Sequence, residues 1–286
     1  MIFVSSSCVE AEKIGDSVRI LAESGFKNIE LSGGTEFYPD YKKDLYDLKK
    51  EFNLNYSIHN YFPPHKENFV LNFASLNDGD YNKSIEHALE TITLAKGFGC
   101  SYVSFHAGFY VDLTPNELGN DIFEKVFKSK EDSLQKYKYA YNRIIKDAGK
   151  IKIYLENNVI TPNNYRLNKG NIFMFTDYES YLELKKLIDF NILLDLAHLK
   201  VSCNALNLNF EEEYNKFDDK VEYIHLSGND GFTDANRSIE NDKEITNLLN
   251  KINLKSKTFT LEVYDDLEKI KLSYNYLKNI ISPTEE

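Results

Sequence analysis

Eight short apolar runs, spread along the whole chain and each with a polar residue at or near its end, limit the possible folds of this sequence more than any other feature. They are IFVSS (2–6), NIELS (28–32), NYSIH (55–59), SYVSFH (101–106), IKIYLE (151–156), NILLDL (191–196), VEYIHL (221–226) and TFTLEV (258–263). Each is five or six residues long and rich in Val, Ile, Leu and Tyr, as strands buried on both faces must be. Between them lie segments of helical period. Ile14, Val18, Leu21 and Ala22 share one helix face, and Ile85, Ala88, Leu89, Ile92 and Ala95 share another. Further helices are expected over 182–188, 245–252 and 267–281. Gly25, Gly99 and Gly149 stand just before the next apolar run, where a helix C-cap favours glycine.

Strands alternating with helices predict a parallel sheet with right-handed crossovers. An open doubly wound sheet would carry a glycine-rich phosphate loop after its first strand, but that turn reads SSSCVEAEK. The expected fold is therefore α/β, a (β/α)8 TIM barrel. It forms a single domain over residues 1–281 with a short C-terminal tail at 282–286, and a chain of 286 residues is of ordinary size for one. The longer loops follow strands three, four, five and seven, at the strands' carboxyl ends, which in a barrel form the catalytic face.

The bulk properties narrow the partners. A net charge of -11 argues against general nucleic-acid binding, which depends on neutralising phosphates with a basic face. No stretch approaches the roughly 20 apolar residues of a membrane span, and MIFVSSS lacks the basic start of a signal peptide. The three cysteines, Cys8, Cys100 and Cys203, are far apart and in no CxxC spacing. Reduced thiols in a cytoplasmic protein explain them, with Cys8 and Cys100 as packing residues.

The chemistry concentrates where each apolar run stops being apolar. Strand two ends in Glu30, three in His59, four in His106 and five in Glu156. Strand six ends in Asp195 with His198 three residues on, seven in His225 and eight in Glu262. In a barrel these side chains converge on one mouth. A lone His or Glu at a strand end is ordinarily a loop hydrogen-bonder. Seven successive strand ends with a carboxylate or imidazole demand more, because like-charged carboxylates are costly to bury together without a cation. Oxygen and nitrogen donors without thiolate suit manganese, zinc, cobalt or magnesium. His65 falls in a loop, and His87, beside Glu86, reads as a solvated helix-surface residue.

At these same residues the chain resembles a known family. The segments IELSGG, SIHNYFPP, FHAG, LENN, LDLAHLKVS, IHLSGNDG and LEVY, in that order over nearly the whole chain, are similar to the xylose isomerase-like barrels. That group includes sugar isomerases and epimerases, inosose dehydratases and AP endonucleases of the endonuclease IV type. The resemblance implies a shared metal site at Glu156, Asp195, His225 and Glu262. It also implies that His59 and His106, with a bridging Glu156, could form the first site of the endonuclease branch. The third endonuclease site would pair His198 with an Asp-x-His after strand seven, but this chain reads Asp234-Ala235-Asn236. A neutral amide is a poor zinc ligand beside imidazole, so a trinuclear cluster is not expected.

The isomerase branch needs only one divalent ion, or two if the histidines hold a second. Glu156 and Glu262 would then be the catalytic pair, one removing a carbon-bound proton and the other returning one through an ene-diolate. His59, His106, His198, Arg237 and Glu30 are the candidates for substrate contact. Of four arginines, Arg19 and Arg143 read as helix-surface residues, whereas Arg166 and Arg237 fall in the long loops after strands five and seven. Tyr61 and Phe62 of SIHNYFPPH could wall the mouth. The expected activity is a metal-dependent isomerase or epimerase of a sugar or sugar derivative. Its rivals are an endonuclease IV-like phosphodiesterase, a sugar dehydratase or lyase, and a sugar-binding barrel without catalysis. The expected partner is a small carbohydrate, not nucleic acid or membrane, and a homo-oligomer is allowed.

Overall fold

A computed structural model describes residues 1–282. The tail expected at 282–286 lies, from residue 283 on, outside the described residues. The eight apolar runs form eight parallel strands: β1 (Ile2–Ser5), β2 (Asn28–Leu31), β3 (Asn55–Ile58), β4 (Tyr102–His106), β5 (Lys152–Glu156), β6 (Asn191–Asp195), β7 (Val221–Leu226) and β8 (Thr258–Leu261). Each pairs with its sequence neighbour, and β1 pairs with β8, Val4 opposite Leu261, to close the barrel. The expected eight-stranded barrel is the fold.

The helices pack their apolar faces on the outside of the strands. Ile14, Val18, Leu21 and Ala22 are the buried face of the helix Ile14–Glu23, as their spacing requires. The long helix Asp78–Phe98 starts at Asn77, whose side chain accepts from the backbone N–H groups of Gly79 and Asp80, and stops at Gly99 in the left-handed region (φ 72°). A side chain there would be strained, which is why glycine ends this helix. Among the described residues no helix is long and apolar enough to cross a membrane. Cys8, Cys100 and Cys203 are buried and unpaired.

The barrel interior is layered. Its lower part is filled by tyrosine rings: Tyr102, Tyr154 and Tyr223 meet edge to face with centroids 5.0, 5.4 and 5.6 Å apart. Aromatic pairs prefer this arrangement, which brings positive ring edge to negative ring face. The Tyr223 hydroxyl reaches Thr260 (2.6 Å) and donates to a Glu30 carboxylate oxygen. Above this floor the strand ends carry the carboxylates and imidazoles.

Candidate metal centre

Parallel register sets the relative heights of the polar residues. His106 lies opposite Glu156, and Asp195 opposite His225. Leu226 lies opposite Leu261, so Glu262 stands one residue above the β8 ladder. Glu156 sits at the centre. Its Oε2 is 3.2 Å from His59 Nε2 and 3.7 Å from His106 Nε2. Its Oε1 is 3.4 Å from His198 Nδ1 and 3.6 Å from His225 Nδ1. Glu262 Oε2 approaches the same His225 Nδ1 at 3.5 Å.

Most of these approaches are too long or too poorly aimed for strong hydrogen bonds. Both Glu156 oxygens, Asp195 Oδ2, His106 Nδ1 and both His225 nitrogens are buried without a hydrogen-bond partner. An orphaned buried polar group costs about 1–3 kcal/mol, more when charged. Here the orphans face one another. Asp195, His225 and Glu262 offer ligand atoms all within 4.8 Å of one another, as do His59, His106 and Glu156, and likewise Glu156, Asp195 and His198. Such a set fits a divalent cation, which would satisfy several orphans at once.

Neighbouring groups hold these side chains in place. Asn157 exchanges two hydrogen bonds with the Asp195 backbone, accepting from its N–H at 2.7 Å and donating to its carbonyl at 3.0 Å. Asp195 caps the helix Leu196–Leu206 by accepting the His198 N–H through Oδ1 (2.6 Å), leaving Oδ2 free. His59 Nδ1 meets Ser104 Oγ at 3.0 Å. His198 is engaged at both ring nitrogens, Nδ1 with the Asn157 carbonyl (2.9 Å) and Nε2 with Asp234 Oδ2 (3.2 Å).

Burial and neighbouring charges together set the protonation equilibria. Burial raises the Glu156 carboxyl well above its usual range and Asp195 to about 6. It also drops His59 to about 3 and His106 well below its ordinary value, helped in both by neighbouring imidazoles. For His225, burial is outweighed by Glu30, Glu156 and Glu262, which raise it, and Asp195 and Asp234 do the same for His198. Burial is likewise outweighed at Glu262, which His225 lowers. Without a cation, the carboxylates are balanced by protons on two imidazoles. Neutral His59 and His106 keep the lone pairs a metal needs.

A cavity of about 620 Å³ opens above this centre, with His59, His106, His198, Asp234, Glu262 and Tyr264 in its wall. Tyr61 lines it as expected, but Phe62 is turned into the core against Tyr41. A second cavity of about 720 Å³ adjoins it on the side of the loops after β4 and β5. Neither wall includes a lysine or arginine.

Two residues expected to touch substrate lie elsewhere. Arg237 is exposed in a separate surface cavity beside Asp230, Asp265 and Asp266. Its backbone pairs with Gly228 in both directions (2.7 and 2.8 Å), which turns Asn236 inward and Arg237 out. Glu30 is fully buried and does not reach the cavity. It pairs in register with Ser57, two residues and thus about 6.6 Å below His59 along the strand. Its Oε1 lies 2.9 Å from His225 Nε2, off the hydrogen-bonding direction, so it acts on the centre from beneath. His87, expected on the solvated helix surface, is instead buried, with Nδ1 2.6 Å from His65 Nε2. Arg166 bonds Asn163 on the exposed surface (2.6 Å). Sequence reasoning missed Asn157, although its place directly after Glu156 was a usable signal.

The family described as Xylose isomerase-like TIM barrel is matched over residues 18–280. None of the curated proteins matches the chain in sequence. Among solved structures, a D-tagatose 3-epimerase-like protein is similar with a TM-score of 0.72 at 22% identity, over 98% of this chain and 96% of that one. The 3-keto-D-glucoside 4-epimerase from E. coli is similar at 0.66 and 12% identity, over 97% and 98%. Endonuclease IV from Thermus thermophilus is similar at 0.62 and 13% identity, over 99% of both chains. At such identities the likeness is one of fold, and it spans both chemistries.

Proposed function

Because this chain belongs to the xylose isomerase-like TIM barrel family, we propose that it is a divalent-metal-dependent isomerase or epimerase of a sugar or sugar derivative. The observation that carries this reading is the set of partnerless buried ligand atoms on Glu156, Asp195 and His225, beside Glu262 at the foot of a cavity without a lysine or arginine. Glu156, Asp195, His225 and Glu262 would hold the ion, which when bound supplies Lewis-acid stabilisation to negative charge developing on two adjacent substrate oxygens.

The chain's own residues do the rest. Glu262 reaches the cavity wall and takes the proton from the carbon beside the carbonyl. Glu156 returns a proton to the opposite face of the enolised skeleton. His198, held by Asn157 and Asp234, presents its ring at the rim to substrate oxygens. Tyr61 and Tyr264 shield the reacting carbon from water. A wall without lysine or arginine suits a neutral sugar better than a phosphorylated one.

The test is solvent deuterium incorporation. Protein loaded with manganese, cobalt, zinc or magnesium is incubated in D2O with a panel of ketoses and keto sugars, and exchange beside the carbonyl is followed by NMR. Glu156→Gln and Glu262→Gln should each lower exchange by about 10²–10⁴-fold while the circular dichroism spectrum is kept. Substantial exchange in both variants would end the two-glutamate mechanism.

One observation favours a second reading. His59, His106 and Glu156 form a further candidate ligand group, so two ions could sit side by side as in a phosphodiesterase. Against it stand the cavity without a lysine or arginine and Asn236, whose Oδ1 already accepts from Ser227 Oγ (3.0 Å). Efficient nicking of an abasic-site oligonucleotide would reverse the preference.

A further inference from the structure

The second cavity is continuous with the candidate active site: Tyr61, His106, Leu118, His198 and Asp234 line both. Beyond those shared residues its character changes. Phe109, Ile122, Val159 and Phe173 form an apolar strip in a wall that also carries polar side chains such as Asp121, Thr161 and Asn163, and Phe123 and Phe232 stand at its rim, 71% and 62% exposed. Large aromatics left in water beside a cavity mark a surface that awaits an apolar occupant.

This wall is a built one. Asn164 Oδ1 accepts the Ile122 N–H (2.8 Å) and Asn168 Oδ1 accepts the Lys125 N–H (2.9 Å), pinning the loop after β4 to the helix Pro162–Leu167 and the residue that ends it. Asn158 spends its amide nitrogen on the carbonyls of Ala107 (2.8 Å), Gly108 (3.2 Å) and Met174 (2.9 Å). The Asn158 amide nitrogen and the Asn164 amide oxygen, beside the apolar side chains, are thus already committed to backbone.

Each cavity alone falls in the size range of a site for a drug-sized ligand, about 300–1,000 Å³. A single sugar ring over Glu262 would leave the second cavity unused. We propose that the substrate is a keto sugar whose anomeric oxygen carries an apolar, ring-sized group: an aryl glycoside. The sugar would lie over Glu262 and the aryl ring in the second cavity among Phe109, Phe173, Phe123 and Phe232. This deepens the isomerase or epimerase proposal, on which the placement of the sugar rests. A glycoside cannot open at its anomeric carbon, so enolisation uses a ketone elsewhere on the ring. There the C–H bond beside the ketone breaks, its electron pair enters the ene-diolate, and the bond re-forms with a proton from a carboxyl group.

The test compares phenyl and methyl glycosides of the same keto hexose, with the ketone at C2, C3 or C4 in turn. Binding to manganese-loaded protein is measured by calorimetry and deuterium exchange by NMR. Removing about 100 Å² of phenyl surface from water at about 25 cal/mol per Å² predicts phenyl binding about 60-fold tighter than methyl. In the double variant Phe123→Ser, Phe232→Ser, whose replaced rings are exposed in the folded chain, that ratio should fall several-fold. Phenyl and methyl glycosides binding within twofold of each other would overturn the aryl site, and if both still exchange deuterium the epimerase proposal survives alone. Preferential phenyl binding without exchange in any compound would uphold the aryl site and remove the epimerase proposal. Failure of every glycoside to bind would overturn both.

Discussion

Replacing Glu30 by glutamine tests whether this buried carboxylate tunes the metal centre. Glu30 Oε1 lies 2.9 Å from His225 Nε2, on the side of the ring away from Glu156 and Glu262, which face Nδ1. A carboxylate this close attracts hydrogen to Nε2 even without a well-aimed hydrogen bond, which leaves the Nδ1 lone pair for a cation. Glutamine keeps the volume but removes the charge, and it can turn its NH2 toward Nε2 and stabilise the wrong tautomer. Loss of such an outer partner ordinarily lowers metal affinity about 10–100-fold, or about 1.4–2.8 kcal/mol. Competition between the protein and a fluorescent chelator for zinc or manganese reads this directly. Glu30→Gln should weaken binding within that range while the metal-free fold persists, since the replacement is isosteric. A dissociation constant within twofold of the parent, with KM for sugar raised instead, would refute this reasoning and restore Glu30 as a substrate contact.

Three further outcomes are expected. Stripping the metal with a chelator should lower Tm: an ion at a thousand times its Kd stabilises by about 4 kcal/mol, worth roughly 8 °C in a domain of this size, and an unchanged Tm would argue against a built site. That difference should depend on pH. Asp195, raised by burial to about 6, binds its proton more tightly folded than unfolded, so its contribution to metal-free stability is full below pH ~4 and lost as pH climbs through ~6. Because a cation displaces that proton, the Tm gain on adding metal should grow between about pH 5 and 7, and a flat gain would exclude Asp195 as a ligand. Lys200 is buried and grips both Asp242 oxygens (2.9 and 2.8 Å) and the Asn229 carbonyl (3.0 Å). Lys200→Met leaves Asp242 uncompensated and should cost about 3–5 kcal/mol in urea unfolding, whereas a loss under 1 kcal/mol would show the pair to be dispensable.

The barrel was legible because buried parallel strands need uninterrupted apolar runs, and eight such runs with helical spacers admit few topologies. The candidate ligands were legible for the same reason: a charged residue at the end of such a run has to be at the rim. Height within the barrel was harder. Glu30 and His59 both end their runs, but only the register of β2 on β3 places Glu30 a layer lower. His87 was misjudged from its neighbour Glu86. Its spacing to Ser84, Thr91 and Ala95, all buried, already puts it on the inner helix face. Arg237 depended on a hairpin between Gly228 and Arg237, a loop geometry that residue types alone do not determine. The second cavity is formed by loops meeting from β4, β5 and β7, and no local pattern announces such an encounter.

The tyrosine floor bears on traffic through the barrel. With Tyr102, Tyr154 and Tyr223 packed ring against ring below the polar layer, the well has no drain. Any molecule that reaches the carboxylates has to enter and leave from above. A narrow shaft with one opening would stall, its contents blocking their own exit. The second cavity adjoins the mouth and widens that one entrance.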